Sequence, residues 1–209
     1  MHAKSLLALL AVGVAFTLAA GQEKSKESPT YEALVEKVKS GDKSVDFKQL
    51  RLAYAASPTS RPDTDSQKKA MTAALNSKNY PEALKNAEVV LASDFVDMDA
   101  HFAAHVAQRE LNNAEQADFH KFVLRGLLDS IAHSGDGKSE KTAYQVIEVH
   151  EEYVVLRFMG LMPSTQSLSQ KDGHSYDVME TVDPKTKEKV TLYFNVDIPM
   201  KRLNDALKH

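Results

Sequence analysis

Three histidines, His101, His105 and His120, are the first residues of this sequence whose type and spacing could do chemistry. His101 and His105 stand four apart in a stretch of helical periodicity, so both imidazoles can project from one face, and His120 falls on the next helix. Two histidines at that spacing can chelate zinc. Three protein ligands are usual, however, and Phe102 follows His101 where a metalloprotease motif has glutamate. Solvent-facing or capping histidines are therefore expected, with zinc as the alternative and no cofactor required.

A second group is His150, Glu151 and Glu152, next to Tyr153 and near Glu148. Paired carboxylates perform acid–base chemistry when burial separates their pKa values, but two acids in the first turn of a helix also complement its dipole, which is the expectation here. A third group is Tyr193, Asn195 and Asp197, which alternate along one face of the last strand, with Tyr176 and Asp177 on its hairpin partner. Such a polar, aromatic face could bind a peptide or glycan; a solvated sheet face is the plainer expectation. The string Gly135-Asp136-Gly137-Lys138-Ser139 ends like a phosphate-binding loop, yet Ala132 stands where that loop needs its first glycine, and a helix precedes it where a strand should. It reads as a hinge.

Helices must position most of these residues. Tyr31, Leu34, Val35 and Val38 fall at helical spacing before Gly41, and Asp46 precedes a second stripe of Phe47, Leu50, Ala53 and Tyr54 that stops at Ser57-Pro58. Ala70, Met71, Ala74 and Leu75 mark a third helix. Ala83, Leu84, Ala87, Val90 and Leu91 mark a fourth, capped by Asn79 with Pro81 in its first turn. Phe102, Ala103, Val106 and Ala107 mark the next, and Phe119, Val123, Leu127, Leu128 and Ile131 a long sixth. Asn79 to Ala83 recurs as Asn113 to Ala117 at a spacing of 34 residues, the tetratricopeptide period. An ordinary antiparallel bundle would suit the same residues.

Beyond Ser134 the period changes to two. Tyr144–Val149 reads as a strand, and Glu151–Met159 as a helix ended by Gly160, because Tyr153, Leu156 and Met159 are spaced for one. Gln166–Gln170, His174–Val182 and Lys189–Val196 read as strands, and Met200–Leu207 as a closing helix. The fold class expected is α+β: a tetratricopeptide-like antiparallel helical bundle over residues 31–133, a Gly/Ser loop at 134–141, and a small antiparallel sheet with one or two helices over 142–209.

Residues 1–21 read as a secretory signal peptide, with Lys4, an apolar run from Leu6 to Ala20, and small residues at Ala19, Ala20 and Gly21 for cleavage. Residues 22–30 read as a disordered polar lead. Cleavage would leave no membrane anchor and an exported protein, periplasmic or extracellular. The chain has no cysteine, which excludes disulfides and thiolate chemistry, and its net charge of −3 gives no electrostatic footprint for nucleic acid.

The order of features from Val45-Asp46-Phe47, Leu50-Arg51 and Ala53-Tyr54, through Ser134–Ser139 and Glu151-Glu152-Tyr153, to Tyr193-Phe194-Asn195-Val196 resembles a family of secreted bacterial proteins, the domain of unknown function 4919. The resemblance implies one family domain and a bacterial envelope location, and brings no activity, cofactor or catalytic residue. Helical-pair arrays generally present a surface to a protein or peptide. A non-enzymatic binding or scaffolding module of the cell envelope is therefore expected, with a hydrolase using Glu151, Glu152 and His150 as the alternative and a histidine metal site as a third reading.

Overall fold

Side-chain caps set where the first helices begin. In the computed structural model, which describes residues 28–57 and 62–208, Thr30 Oγ1 accepts from Ala33 N to start α1 (Tyr31–Lys39), and Asp46 accepts from Lys48 N and Gln49 N to start α2 (Phe47–Ala56). The signal segment 1–21, most of the polar lead and positions 58–61 of the loop after α2 lie outside the described residues. Four further helices follow: α3 (Asp65–Asn76), α4 (Tyr80–Ser93), α5 (Met98–Glu110) and α6 (Ala114–Ala132).

The repeat of 34 residues is visible in the backbone. Lys78 N donates to Leu75 O and Asn79 N to Ala74 O; one period later Asn112 N donates to Arg109 O and Asn113 N to Gln108 O. Lys78 and Asn112 both adopt positive φ, 59° and 62°, to close these turns. Each turn folds one helix back on its predecessor. The helices α3 to α6 therefore pack in consecutive antiparallel pairs, with α3 also against α5, in a tetratricopeptide-like arrangement.

Alanines let the axes approach. Ala83, Ala87, Ala103 and Ala107 have no exposed surface, and Ala117 is also buried. Ala83→Leu is expected to lower unfolding free energy by about 1–3 kcal/mol through overpacking, whereas Val89→Leu on the exposed side of α4 changes it by less than about 0.5 kcal/mol. Urea unfolding of both variants measures the contrast; equal effects would deny a tight helix crossing at Ala83.

The second half contains a 3-10 turn (Glu140–Thr142), β1 (Tyr144–Gln145), α7 (His150–Met159), β2 (Met162–Lys171), β3 (His174–Val182), β4 (Lys189–Asn195) and α8 (Asp197–Ala206). The strands form one sheet in the order β1-β4-β3-β2, with β1 parallel to β4 and the others antiparallel. Asp172 and Gly173, both at positive φ, make the two-residue turn between β2 and β3. β2 occupies the outer edge; its side chains are nearly all exposed, and its register shifts between Pro163 and Thr165.

Three elements differ from the sequence reading by more than one residue. β1 is two residues long, because Ile147 N turns to donate to Glu151 Oε2 at 2.8 Å and the chain enters α7. β2 is longer, since a strand polar on both faces shows no alternation. α8 starts at Asp197, with Pro199 tolerated in its first turn. Met179, Leu192, Phe194 and Val196 on one sheet face join Leu34, Leu50, Leu127, Ile131 and Leu156 in a single hydrophobic core, so the two halves share their interior. The loop 134–141 is bonded to the sheet: Tyr193 N donates to Gly137 O at 2.8 Å, and Asp136 N and Gly137 N donate to Thr142 O. Gly137 is at φ +68°, and a Cβ there would lie 2.4 Å from the Tyr144 ring.

Candidate functional site

Helix α7 carries the acidic pair read from the sequence, and the two acids point to different partners. Glu151 is buried and receives Arg51 of α2 in a two-pronged ion pair, Nε to Oε1 at 3.0 Å and Nη2 to Oε2 at 2.5 Å. Arg51 also donates to Ser130 Oγ on α6 and Gln145 O on β1, each at 3.2 Å. One guanidinium thus joins α2, α6, β1 and α7.

Glu152 has no exposed surface and faces the β2–β3 hairpin. Gln166 Nε2 donates to Asp177 Oδ2 at 2.6 Å and to Glu152 Oε2 at 3.4 Å, while Tyr153 OH donates to Gln166 Oε1 at 2.6 Å. Burial first, then the neighbouring Asp177 and the hydrogen bond to it, then Glu151, push the Glu152 carboxyl up to about 9. Glu152 therefore holds its proton at neutral pH, and Gln166 bridges it to Asp177. Its Oε1 has no hydrogen-bond partner.

His150 looks a third way. Its Nδ1 lies 3.1 Å from Glu148 Oε2. Burial alone would depress its pKa, but the hydrogen bond to Glu148 and the charges of Asp97, Glu148 and Glu151 outweigh that and raise it to about 9. It is a cation in an acidic surround. Asp97 pairs there with Lys68 at 2.7 Å and caps α5 through Ala100 N, and burial, then Glu148 and Asp97, raise Asp94 to about 6. The structure does not bring His150, Glu151 and Glu152 to one point.

The sheet candidates divide by register. Tyr176 pairs with Asn195 and Val178 with Tyr193, so Tyr176, Tyr193 and Asn195 share a face, whereas Asp177 pairs with Phe194 and faces the core beside Glu152. Asp197 sits in the first turn of α8, accepting from Ser175 N at 2.8 Å, Asn195 Nδ2 at 3.1 Å and His174 Nδ1 at 2.6 Å. Burial pulls its pKa upward, but these donors together lower it. The pairing with His174 was not foreseen from the spacing.

Of the three histidines, two meet. His101 Nε2 donates to Phe95 O at 2.9 Å, which leaves Nδ1 to accept from His120 Nδ1 at 3.0 Å; His105 Nδ1 donates to Ala117 O at 2.9 Å. Burial, then His120, lowers His101 to about 3, and burial, then His105, lowers His120 to about 4. Both rings are neutral, and both nitrogens of His101 are engaged. Among the described residues no group of three or more His, Asp or Glu is placed to hold a metal ion.

The other end of α7 has a different character. Phe158 and Met159 are 54% and 47% exposed, while Val154, Val155 and Leu156 are buried. Arg157 pairs with Asp99 and ties this end to α5. Between α7 and α6 lies an apolar groove of about 460 Å³, with Leu124, Leu128 and Ala132 on one wall, Val155, Phe158 and Met159 on the other, and Tyr144 between them. Lys121, Arg125 and Asp129 line its rim. The sequence carried one sign of it: α7 is apolar around most of its circumference, more than one buried face requires. The acids Glu151 and Glu152 anchor the helix that forms one wall.

These features define an α+β protein whose tetratricopeptide-like helical bundle is fused through one core to a small sheet. The chain belongs to the family described as Domain of unknown function (DUF4919), whose model matches residues 22–205. No match was found among curated proteins or among solved structures. Among the described residues no helix is long and apolar enough to cross a membrane.

Proposed function

We propose that this protein is a non-enzymatic binding or scaffolding module of the bacterial cell envelope that takes up a protein or peptide in the groove between α6 and α7. The observation that carries the reading is the pair Phe158 and Met159, half-exposed on a helix that is otherwise fixed by the buried Arg51–Glu151 pair and by hydrogen bonds. Exposed apolar side chains clustered beside a groove serve contacts with partners, and methionine adapts to their shape. The N-terminal pattern of Lys4, the run Leu6–Ala20 and the small residues up to Gly21 supports export.

A photo-crosslinking phenylalanine analogue at position 158, in living cells of the host, is expected to capture a discrete partner, and the same analogue at the exposed position 89 is not. Phe158→Glu should abolish capture from a neighbouring probe at position 159 without lowering the melting temperature. Equal capture from positions 89 and 158 would sink the proposal. A hydrolase built on the Glu152–Asp177 pair has one observation in its favour, the proton held beside an unbonded Oε1. Glu152 is fully buried, so α7 and the hairpin would have to part before a substrate reached it.

A further inference from the structure

Glu152 and Asp177 are two buried carboxyl groups with no cation beside them. They are 0% and 8% exposed, and among the described residues neither is in an ion pair, since the buried guanidinium of Arg51 is committed to Glu151. Buried carboxylates are ordinarily paired with a cation or bound to a metal. The other buried acids of this region follow that rule, Glu151 with Arg51 and Asp97 with Lys68.

What stands between Glu152 and Asp177 is an amide. Gln166 Nε2 lies 2.6 Å from Asp177 Oδ2 and 3.4 Å from Glu152 Oε2, so the positive end of one side-chain dipole occupies the place of a counter-ion. It fills that place incompletely. Glu152 Oε1 is buried and has no hydrogen-bond partner, the state of an oxygen that lacks a donor or a cation.

The carboxyls can also be reached. Gln166 belongs to the outer strand β2 and is exposed, and Tyr153, whose hydroxyl donates to Gln166 Oε1 at 2.6 Å, is 36% exposed. Gln166 thus extends from solvent to both acids. A half-turn of its amide sets Oε1 toward the carboxyls and Nε2 toward the Tyr153 oxygen, which can accept as well as donate.

We propose that Glu152, Asp177 and Gln166 form a binding site for a divalent hard cation, calcium or magnesium, held by oxygens of two carboxylates and one amide, with water completing its shell. All the donors are oxygen, the set that such ions select, and magnesium in particular is held by one or two carboxylates while keeping several waters. Two carboxylates balance its charge. The ion takes the place of the proton that Glu152 otherwise holds, and that proton passes to solvent. Bound there, it pins the β2–β3 hairpin to α7.

Thermal unfolding tests the site. The full chain is freed of metal with a chelator, and its melting temperature is followed at slightly alkaline pH as calcium chloride or magnesium chloride is added, with sodium chloride of equal ionic strength as the control. At about ten times the dissociation constant, one of the two divalent ions is expected to raise it by about 3–5 °C. Glu152→Gln and Asp177→Asn keep the shapes of the side chains and remove one charge each, so each should bind about tenfold or more weakly; circular dichroism checks that both fold. Terbium, an ion of calcium's size, reports position: its luminescence excited through tyrosine should fall severalfold in Tyr153→Phe, while the rise in melting temperature persists.

No rise with either ion overturns the proposal, and so does an equal rise with sodium chloride. A rise that survives in Glu152→Gln or Asp177→Asn, or terbium luminescence unchanged in Tyr153→Phe, places the ion elsewhere on the acidic surface and overturns it too.

Discussion

Glu151→Gln and Arg51→Met are each expected to lower the unfolding free energy by about 3–5 kcal/mol, a fall in melting temperature of roughly 10 °C or more for a domain of this size. Both side chains are buried, and the two hydrogen bonds between them are joined by three more to Ser130 Oγ, Gln145 O and Ile147 N. Removing either partner strands the other in a medium where its charge is poorly solvated, so the loss exceeds the modest net value of the pair. The double replacement Arg51→Met/Glu151→Leu should regain a large part of the deficit, because two apolar side chains leave no buried charge. It should not regain all of it: Ile147 N would have lost its acceptor. Chemical unfolding of the three variants gives the coupling energy, and single variants within about 1 kcal/mol of the parent would show that Arg51 does not hold the four elements together.

Glu152→Gln is expected to act the other way, and only above acid pH. The carboxyl titrates near 9 in the fold against an ordinary value of 4.5. Between those limits the folded protein keeps a proton that the unfolded chain has released, so stability is full below pH 4.5 and falls as pH rises toward 9. At pH 7 this amounts to roughly 3 kcal/mol. Glutamine has the same shape and cannot ionise, so the variant should match the parent at pH 4, exceed it by about 2–3 kcal/mol at pH 7, and exceed it further at pH 9. His101 and His120 slope in the opposite sense, because burial keeps them neutral in the fold while the unfolded chain binds protons below about 6.5. They slope equally in both proteins and cancel in the difference. Urea unfolding at the three pH values is decisive; a variant less stable than the parent at pH 7 would mean that Glu152 is ionised in the fold.

Much of the architecture could be read from local patterns. The helical repeat was legible because its turns reuse the same backbone at Lys78 and Asn112, each followed by asparagine and then, four residues on, alanine at the crossing. Gly160 ended α7 as expected, at φ +72°. β3 spans His174–Val182 as its alternation implied. What escaped was non-local. Arg51 lies on an amphipathic helix and looks like a surface residue until a carboxylate 100 positions away is placed against it. Phe102 fits the apolar spacing of α5 yet is 45% exposed, since spacing identifies a stripe and not what covers it. Asp177 was grouped with Tyr176, although neighbours on a strand face opposite sides, and its partner Glu152 comes from a helix. Met159 was read as part of the apolar spacing of α7 yet is 47% exposed, and Phe158 was legible only as surplus apolar character.

The edge position of β2 has a consequence for life at high local concentration. An outer strand ten residues long offers a row of unsatisfied amides and carbonyls on which another extended chain could grow, the first step of fibrous aggregation. Pro163 removes one donor from that row, the irregularity between Pro163 and Thr165 breaks its flat repeat, and Lys171 places a charge at its far end. Ser164, Ser167 and Ser169 separate Met162 and Leu168, the two large apolar side chains the strand exposes, so that no continuous apolar row runs along it. The strand is thereby a poor template, and the chain can keep a long free border without polymerising through it.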